Sequence, residues 1–180
     1  LATSRAPARG SVHFEGRRVD ARWASHADLT WYRAQLGYMP QQVGLYPNLT
    51  QAQFVHYIAE LKGIPVGPRG AAIGAALRTC GLDPECDKPL GRKSEGTRRR
   101  AALAAALVGC PRVLLLDEPM ISCDPVERAR IKSALRSMGT ATTCVISASS
   151  IADVDRLCDE LIVLDKGRIV FAGRPEDLVD

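Results

Sequence analysis

The sequence predicts an α/β fold built on a mostly parallel sheet, and three features support this prediction. From residue 112 onward, strand-like apolar segments alternate with helical segments, which is the order that parallel sheets require. The first of these segments, Val113–Leu116, shows no polar alternation, as is typical of a strand buried on both faces. Residues 43–108 are helical and interrupt the alternation, so we expect a helical insertion in one α/β domain.

Helix caps, prolines and glycines set the expected boundaries of the other elements. Thr50 and Ser94 each precede a helix-forming run, and Pro125 suits the first position of a helix. The expected elements are, in chain order, the end of a helix and a turn (1–10), a strand (11–14), an irregular stretch (17–31), a strand (36–39), a helix (50–62), a linker (63–70), a helix (71–80), a loop (83–92), a helix (94–109), the central strand (113–116), a helix (125–138), a second buried strand (143–147), a short helix (151–158), a third strand (161–164), its hairpin partner (169–172) and a short helix from residue 175.

Composition is typical of a soluble globular protein with one domain. The chain has 180 residues, of which 46% are hydrophobic and 24% are charged. No apolar run approaches the roughly 20 residues that span a bilayer, and the first residues lack the apolar core of a signal peptide. The net charge of +4 is compatible with an anionic ligand but is too small to indicate nucleic-acid binding by itself.

The cysteines and histidines show no metal-binding pattern. The six cysteines include no C-x-x-C pair, so zinc spacing is absent. Without a secretion signal, we expect them to be reduced and mostly buried thiols. The histidines have no ligand-type cluster beside them and are expected at the surface or in structural roles. These residues are Cys80, Cys86, Cys110, Cys123, Cys144, Cys158, His13, His26 and His56.

Two adjacent carboxylates, Asp117 and Glu118, directly follow the central strand. Ligands of open α/β sheets bind beyond the carboxyl ends of the strands, so chemistry is expected at this position. Because successive side chains of a strand point to opposite faces, one carboxylate can reach a metal-bound water while the other faces a reacting water. A solvated acidic turn is the alternative interpretation, and the flanking sequence argues against it.

Seven segments together carry a resemblance to a known family. In order, they are LGYMPQ, GLYPNLT, SEGTRRR, VLLLDEP, the CDP that follows, VISASS and VLDKGRIVFAGRPEDLV. The chain resembles the nucleotide-binding subunit of ATP-binding cassette (ABC) transporters, with most similarity to exporter-type cassettes of prokaryotes. The resemblance implies ATP and Mg²⁺ as ligands. It also implies a RecA-like P-loop NTPase core in residues 1–42 and 109–180, with an inserted helical subdomain in residues 43–108.

The resemblance assigns roles to four residues at matching positions. Asp117 matches the Walker B aspartate, which holds Mg²⁺ through water, and Glu118 matches the carboxylate that orients or deprotonates the attacking water in phosphoryl transfer. Gln41 matches the glutamine that touches the magnesium shell and senses the membrane subunit. Asp124 matches the aspartate that contacts the opposite cassette, and it can also cap the helix that begins at Pro125.

Two phosphate-binding positions of the family are altered in this sequence. The signature Leu-Ser-Gly-Gly corresponds to Lys93–Gly96, where Ser94 and Gly96 are retained and open a helix whose start suits an anion. Glu95 replaces a glycine, and its carboxylate is expected to repel phosphate, which the preceding lysine can offset in part. The family's switch histidine aligns with Ser150, whose hydroxyl can bind phosphate but cannot carry a positive charge.

The phosphate-binding loop of the family does not occur in this sequence. The pattern G-x-x-x-x-G-K-[ST] is found nowhere in the 180 residues. The opening LATSRAPARGSV resembles the family sequence just after that loop, so the sequence is expected to be N-terminally truncated before or within the helix that follows it. Two explanations stay open: the loop is encoded just upstream, or it is truly lost. Without the loop's amides and lysine, we expect most of the affinity for ATP to be lost and the isolated chain to be inactive.

The partners that the resemblance implies are a transmembrane permease subunit and a second nucleotide-binding subunit, at the cytoplasmic face of the membrane. The expected function is to hydrolyse ATP and so drive transport, with export favoured over import. A non-catalytic regulatory or scaffold cassette, paired with an intact partner, is the alternative; a soluble cassette acting on DNA or ribosomes is more remote. Nucleic acid is not expected, because no aromatic platform or reader motif accompanies the triplet Arg98–Arg100.

Overall fold

The computed structural model describes residues 2–3, 6–20, 22–154 and 156–178. The elements are, in chain order, β1 (His13–Phe14), β2 (Arg17–Arg18), α1 (His26–Ala34), β3 (Leu36–Met39), α2 (Gln51–Leu61), α3 (Val66–Thr79), a 3₁₀ turn (Leu90–Arg92), α4 (Glu95–Leu107), β4 (Val113–Asp117), α5 (Pro125–Arg136), β5 (Thr143–Ser147), α6 (Ile151–Val154), β6 (Leu161–Asp165), β7 (Arg168–Gly173) and a second 3₁₀ turn (Pro175–Asp177). No helix in these ranges combines the length and the apolar character needed to cross a bilayer.

A three-stranded parallel sheet forms the centre of the fold, in the order β3-β4-β5. The register places Tyr38 opposite Leu115 and Leu115 opposite Val145. The residues of β4 from Val113 to Leu116 are buried, because neighbouring strands flank them and helices cover the sheet. The predicted parallel arrangement and the burial of the central strand are therefore confirmed.

Helices α2, α3 and α4 pack together beside this sheet, and α4 is their common neighbour. Every residue of α4 from Arg99 to Leu107 is buried, and most of them are alanines or leucines. Small side chains let the backbones approach closely, so α4 packs against β3 as well as against the other two helices. One hydrophobic cluster extends from α2 and α3 through α4 into β4 and α5. The predicted division of the chain into a helical subdomain (residues 43–108) and an α/β core thus stays a prediction.

Helix α3 is longer than the sequence predicted. It begins at Val66 and includes Gly67, Pro68 and Gly70, which were assigned to a linker. Pro68 occupies the third helical position, where the amide has no partner within the helix, so the missing N–H costs nothing there. A proline near a helix start therefore did not mark a boundary.

The stretch 17–31 was predicted to be irregular but contains a strand and most of a helix, and only its described residues 19–20 and 22–25 lie outside regular elements. Arg17 and Arg18 form β2, which pairs with β1 through a tight turn. Ser25 caps α1 by accepting a hydrogen bond from the Asp28 amide at 3.0 Å. The polar surface of this helix concealed it in the sequence, because few of its residues contact the core. The helix end expected in residues 1–10 is absent from the described residues 2–3 and 6–10; residues 1, 4 and 5 lie outside them.

Strand β5 is an edge strand, contrary to its predicted burial. Most of its residues are exposed, including Val145, which is 46% exposed. Its outer side pairs with none of the strands in the described ranges, and β6 pairs with β7 in a separate antiparallel hairpin. The apolar composition of residues 143–147 predicts a strand but not its position in the sheet, because central and edge strands can have the same composition.

The cysteines are free thiols, as predicted, but they are not mostly buried. Cys80 is buried, Cys110 and Cys144 are exposed, and the other three are half-buried. Burial of the Cys80 thiol raises its pKa to about 12. All three histidines are exposed, as predicted.

Candidate functional site at the carboxyl end of the central strand

The two carboxylates at the carboxyl end of β4, those of Asp117 and Glu118, are both half-buried and are held by the next strand. The Ser147 hydroxyl donates to Asp117 Oδ1 at 2.6 Å. The same hydroxyl accepts a hydrogen bond from the Glu118 amide at 3.0 Å, and that amide also lies 3.2 Å from the Ser147 carbonyl oxygen. A single side chain on β5 therefore fixes one carboxylate and the backbone of the other.

The backbone at Glu118 is in the left-handed region, with φ at +48°. A residue with a Cβ adopts this conformation at a cost of order 1 kcal/mol, which the surrounding contacts must offset. Those contacts are the two hydrogen bonds to Ser147 and one from the Ser149 hydroxyl to Glu118 Oε2 at 3.3 Å. The Glu118 carboxylate thus lies against the serine-rich loop after β5.

The serine that contacts the Glu118 carboxylate is Ser149, one residue before the position predicted from the resemblance. Ser150 is exposed, and its carbonyl oxygen accepts the Asp153 amide at 3.1 Å at the start of α6. The hydroxyl that contacts the Glu118 carboxylate is thus supplied by Ser149. The phosphate-contacting role assigned to Ser150 stays a prediction.

Gln41 and Asp124 occupy the loops on either side of this pair. Gln41 is exposed two residues after β3, and the register pairs Met39 with Leu116, so the loop begins at the same edge of the sheet as Asp117. Asp124 caps α5 by accepting the Glu127 amide at 2.8 Å. The helix-cap interpretation of Asp124 is therefore confirmed, and its contact with a second cassette stays a prediction.

The signature segment, Lys93–Gly96, forms the start of α4 as the sequence predicted. Ser94 caps the helix by accepting the Thr97 amide at 3.2 Å. The Glu95 carboxylate is paired with Arg98 at 2.7 Å and lies 3.6 Å from Arg99. These arginines offset its charge, whereas the ammonium of Lys93 donates to the Cys86 thiol at 2.8 Å and thereby lowers its pKa.

Gly96 allows α5 to pack directly against the start of α4. A Cβ at this position would lie 2.5 Å from Glu127 Cγ and 2.7 Å from its Cδ. Any larger residue would therefore displace the Glu127 side chain, which pairs with Arg100. Gly96 has a packing role in this chain in addition to the phosphate-binding role that the resemblance implies.

Two buried arginines of α4 connect the signature segment with the rest of the site. Arg99 is 7% exposed and donates to the Glu118 carbonyl oxygen at 3.5 Å. Arg100 is 6% exposed and pairs with Glu127 at 2.6 Å. The cationic run 98–100 is thus engaged in contacts within the chain, and it links the start of α4 to the loop after β4 and to α5.

Ser147 and Ser149 are the functional candidates that sequence reasoning missed. Ser147 lies opposite Asp117 in the sheet register. The signal for it was a hydroxyl residue at the carboxyl end of a strand expected in the same parallel sheet, because such ends meet at one edge. Using that signal would have required knowing that β4 and β5 are neighbours.

The donor set fits a magnesium ion held mainly through water. Mg²⁺ commonly uses one or two carboxylates, keeps several waters and takes further oxygens from phosphate. Asp117 would supply the carboxylate, oriented by Ser147 through its Oδ1 atom. No group of three or more histidine, cysteine, aspartate or glutamate side chains suited to a metal occurs in the part of the chain that the structure describes.

Together, the parallel sheet, the acidic pair at the end of its central strand and the capped start of α4 define a RecA-like α/β fold of the nucleotide-binding class. The sequence model of the family described as ABC transporter matches residues 1–121. The chain belongs to the ABC transporter family. The RecA-like fold class and the family resemblance predicted from the sequence are thereby confirmed.

Two curated relatives and one solved structure illustrate this similarity. The probable multidrug ABC transporter ATP-binding protein YbhF of Escherichia coli is 30% identical over 145 residues, which is 81% of this chain and 25% of that protein. The Nod factor export ATP-binding protein I of Ralstonia nicotianae is 32% identical over 148 residues, 82% of this chain and 46% of that protein. This chain therefore spans a quarter to a half of these relatives.

The solved structure is cbiO1 from Clostridium perfringens, described as part of the ABC transporter complex cbiONQ. It superimposes with a TM-score of 0.81 at 28% identity, covering 96% of this chain and 68% of that chain. Such extensive coverage means that nearly every element described above has a counterpart in that structure.

Proposed function

We propose that this chain is an ATP-binding subunit that couples ATP hydrolysis to transport across the membrane, with export as the direction. The observation that carries the proposal is the Ser147 hydroxyl, which holds Asp117 and the backbone of Glu118 together at the carboxyl end of β4. Asp117 would hold Mg²⁺ through water, Glu118 would orient or deprotonate the attacking water, and Gln41 would contact the magnesium shell. The export in the name of the Ralstonia nicotianae relative supports the direction.

The proposed site is composite, because the 180 residues contain no phosphate-binding loop pattern. Two cassettes place ATP between the loop of one and the signature segment of the other. Ser94 and Gly96 would contact phosphate held by the loop of a second cassette, with the start of α4 supplying amides and a favourable dipole. Asp124, at the start of α5, would contact that cassette. For these 180 residues paired with an intact cassette, hydrolysis is therefore assigned to the partner's loop.

A complex with an intact ABC cassette supplied in trans tests this assignment. We expect ATP turnover by the complex, none by the isolated chain, and loss of turnover when the partner's loop lysine is replaced by alanine. Ser94→Ala in this chain should lower the turnover roughly tenfold, because it removes the helix cap and a phosphate contact. Turnover is measured as released phosphate, and Ser11→Ala, at an exposed serine outside the site, is the control.

Two outcomes would contradict the proposal. Surviving turnover after loss of the partner's lysine would place hydrolysis elsewhere. Equal effects of the Ser94 and Ser11 substitutions would remove the signature segment from the site. Circular dichroism of each variant distinguishes a lost contact from a lost fold.

The surface proposed to bind a permease is a groove between β3, the loop after it and α2. This tyrosine groove encloses a cavity of about 410 Å³. Its wall carries large exposed side chains, of which Leu61 is 67% exposed. The rings of Tyr46 and Tyr57 meet edge to face at 5.3 Å, and a hydrogen bond to Tyr46 raises the pKa of Tyr57. A short amphipathic segment of a membrane subunit would bury these groups.

Two charge insertions of the same type test this docking. Leu61→Glu should reduce recovery of a permease subunit in co-purification roughly tenfold, because the carboxylate would be desolvated in the interface. Val66→Glu is the matched control, since Val66 is 80% exposed at the start of α3 and does not line the groove. Equal recovery with both variants would place the docking surface elsewhere.

A non-catalytic cassette that only docks a permease is the second candidate function. It is favoured by Glu95 in the signature segment and by a serine at the position of the switch histidine. It predicts co-purification with the membrane subunit but no turnover in any complex. In both cases we propose a location at the cytoplasmic face of the membrane, peripheral to the permease.

A further inference from the structure

The Glu95 carboxylate belongs to the first helical residue of α4, inside the segment proposed to contact phosphate. A free carboxylate at this position would repel a phosphate group. In the structure it is flanked by two arginines of the same helix. Glu95 Oε2 lies 2.7 Å from Arg98 Nη2, and Glu95 Oε1 lies 3.6 Å from Arg99 Nε. The carboxylate is therefore paired within its own helix.

These ion pairs hold the carboxylate along the side of α4 rather than over its end. Residues three and four positions apart lie on one face of a helix, so a side chain paired in this way lies beside the turn that follows it. The Ser94 hydroxyl accepts the Thr97 amide. The amides of Glu95 and Gly96 come first in the helix and have no partner within it. Two N–H groups at the positive end of the helix dipole are thus left for an anion.

The burial of Arg99 fixes one side of this arrangement. The residue is 7% exposed, and its Nε atom is buried without a hydrogen-bond partner among the described residues. A buried cation with an unsatisfied donor attracts a nearby carboxylate more strongly than a solvated cation does. Arg98 completes the pairing from the outer side, where its side chain is 37% exposed. Glu95 is thus held between a buried and an accessible guanidinium.

The other two cations of this stretch have different partners. Lys93, which the sequence suggested as the offsetting charge, donates to the Cys86 thiol at 2.8 Å. Arg100 pairs with Glu127 at 2.6 Å. Holding the carboxylate therefore falls to the remaining two arginines, of which Arg98 makes the shorter contact.

We propose that Arg98 is a positioning residue of the composite site, which holds the Glu95 carboxylate beside α4 so that the altered signature segment still accepts a phosphate group. This role rests on the proposed function, because ATP is the molecule that would present the phosphate. It also removes the main objection to that function, since the charge of Glu95 is taken up by Arg98. A signature segment that accepts phosphate favours the ATP-binding function over the non-catalytic one.

Loss of Arg98 would release the carboxylate. Methionine fills similar space without a charge, so Glu95 would keep only the longer contact with Arg99. A carboxylate is itself stabilised at a helix start, where Glu95 would compete with phosphate for the amides and repel it. The damage caused by Arg98→Met therefore requires the charge of Glu95. A direct contact between Arg98 and phosphate would have no such requirement.

Titration of the isolated 180-residue chain with inorganic phosphate tests this role without a partner cassette. The Gly96 amide, observed by heteronuclear NMR, reports binding at the start of α4, and sodium chloride at equal ionic strength is the reference. The four proteins compared are the wild type, Arg98→Met, Glu95→Gln and the double variant. We expect Arg98→Met to weaken phosphate binding roughly tenfold when Glu95 is present and less than about twofold in the Glu95→Gln background.

Two results would overturn the proposal. Equal weakening by Arg98→Met in both backgrounds would mean that Arg98 acts on phosphate directly or through the fold. A Gly96 amide that does not shift in the wild-type chain would mean that the signature segment accepts no phosphate. The proposed function fails separately: if the expected pattern is found but the complex with an intact cassette does not hydrolyse ATP, the role of Arg98 stands and the proposed function does not.

Discussion

Replacement of Arg100 by methionine should lower the free energy of unfolding by about 3–5 kcal/mol. The guanidinium pairs with Glu127 at 2.6 Å and donates to the carbonyl oxygens of Cys80 and Gly81 at 3.0 and 2.8 Å. Methionine fills similar space but cannot form these contacts. The poorly exposed Glu127 carboxylate would lose its buried partner, and the two carbonyl oxygens would lose their hydrogen bonds to Arg100. Urea denaturation followed by circular dichroism measures the loss.

Arg130→Met is the matched control for this prediction. Arg130 pairs with the other oxygen of Glu127 at 2.9 Å, but its side chain is 52% exposed. Exposed ion pairs contribute about 0–1 kcal/mol, so this substitution should cost less than about 1 kcal/mol. If both variants lost a similar free energy of unfolding, the burial of Arg100 would not determine how much its ion pair stabilises the fold.

Gly37→Ala should destabilise the fold by about 3 kcal/mol or more, through overpacking between β3 and α4. A Cβ at Gly37 would lie 2.7 Å from Leu114 Cδ1 and 3.0 Å from Pro111 Cγ, and closer still to the Ala106 carbonyl oxygen. A backbone oxygen cannot move aside as the end of a side chain can. Either the strand or the helix must shift, and the midpoint of urea unfolding should fall accordingly.

The same substitution at Gly70 provides the comparison. Gly70 lies within α3, and a Cβ there would meet nothing within 4 Å. Alanine is the better helix former, so Gly70→Ala should raise the stability by about 0.5–1 kcal/mol. If both variants lost stability equally, the close approach at Gly37 would not be the cause.

Much of the fold was predictable because local signals and tertiary packing agree. Thr50, Ser94 and Asp124 each precede a helical run in the sequence, and each caps the helix that follows in the structure. The apolar run Val113–Leu116 identified the central strand because burial on both faces removes polar alternation. In these segments the local preference and the final environment point to the same conformation.

The features of the fold and site that could not be predicted depend on which elements become neighbours. The composition of a single segment contains no information about its neighbours. The exposure of Val145 follows from the position of β5 at the edge of the sheet. In the site, Asp117 and Glu118 were found because they adjoin a strong strand signal. Ser147 and Ser149 were missed because their hydrogen bonds cross between strands and loops that are about 30 residues apart in sequence.

The outer edge of β5, which pairs with none of the described strands, has a consequence for the colloidal behaviour of the isolated chain. Backbone N–H and C=O groups along an unpaired edge can template a strand from another molecule. Val145 lies on this edge, and Ile162 and Leu164 of the β6–β7 hairpin are 60% and 67% exposed. Rising concentration favours burial of such surfaces between molecules, so self-association will set the upper limit of soluble concentration for the isolated chain.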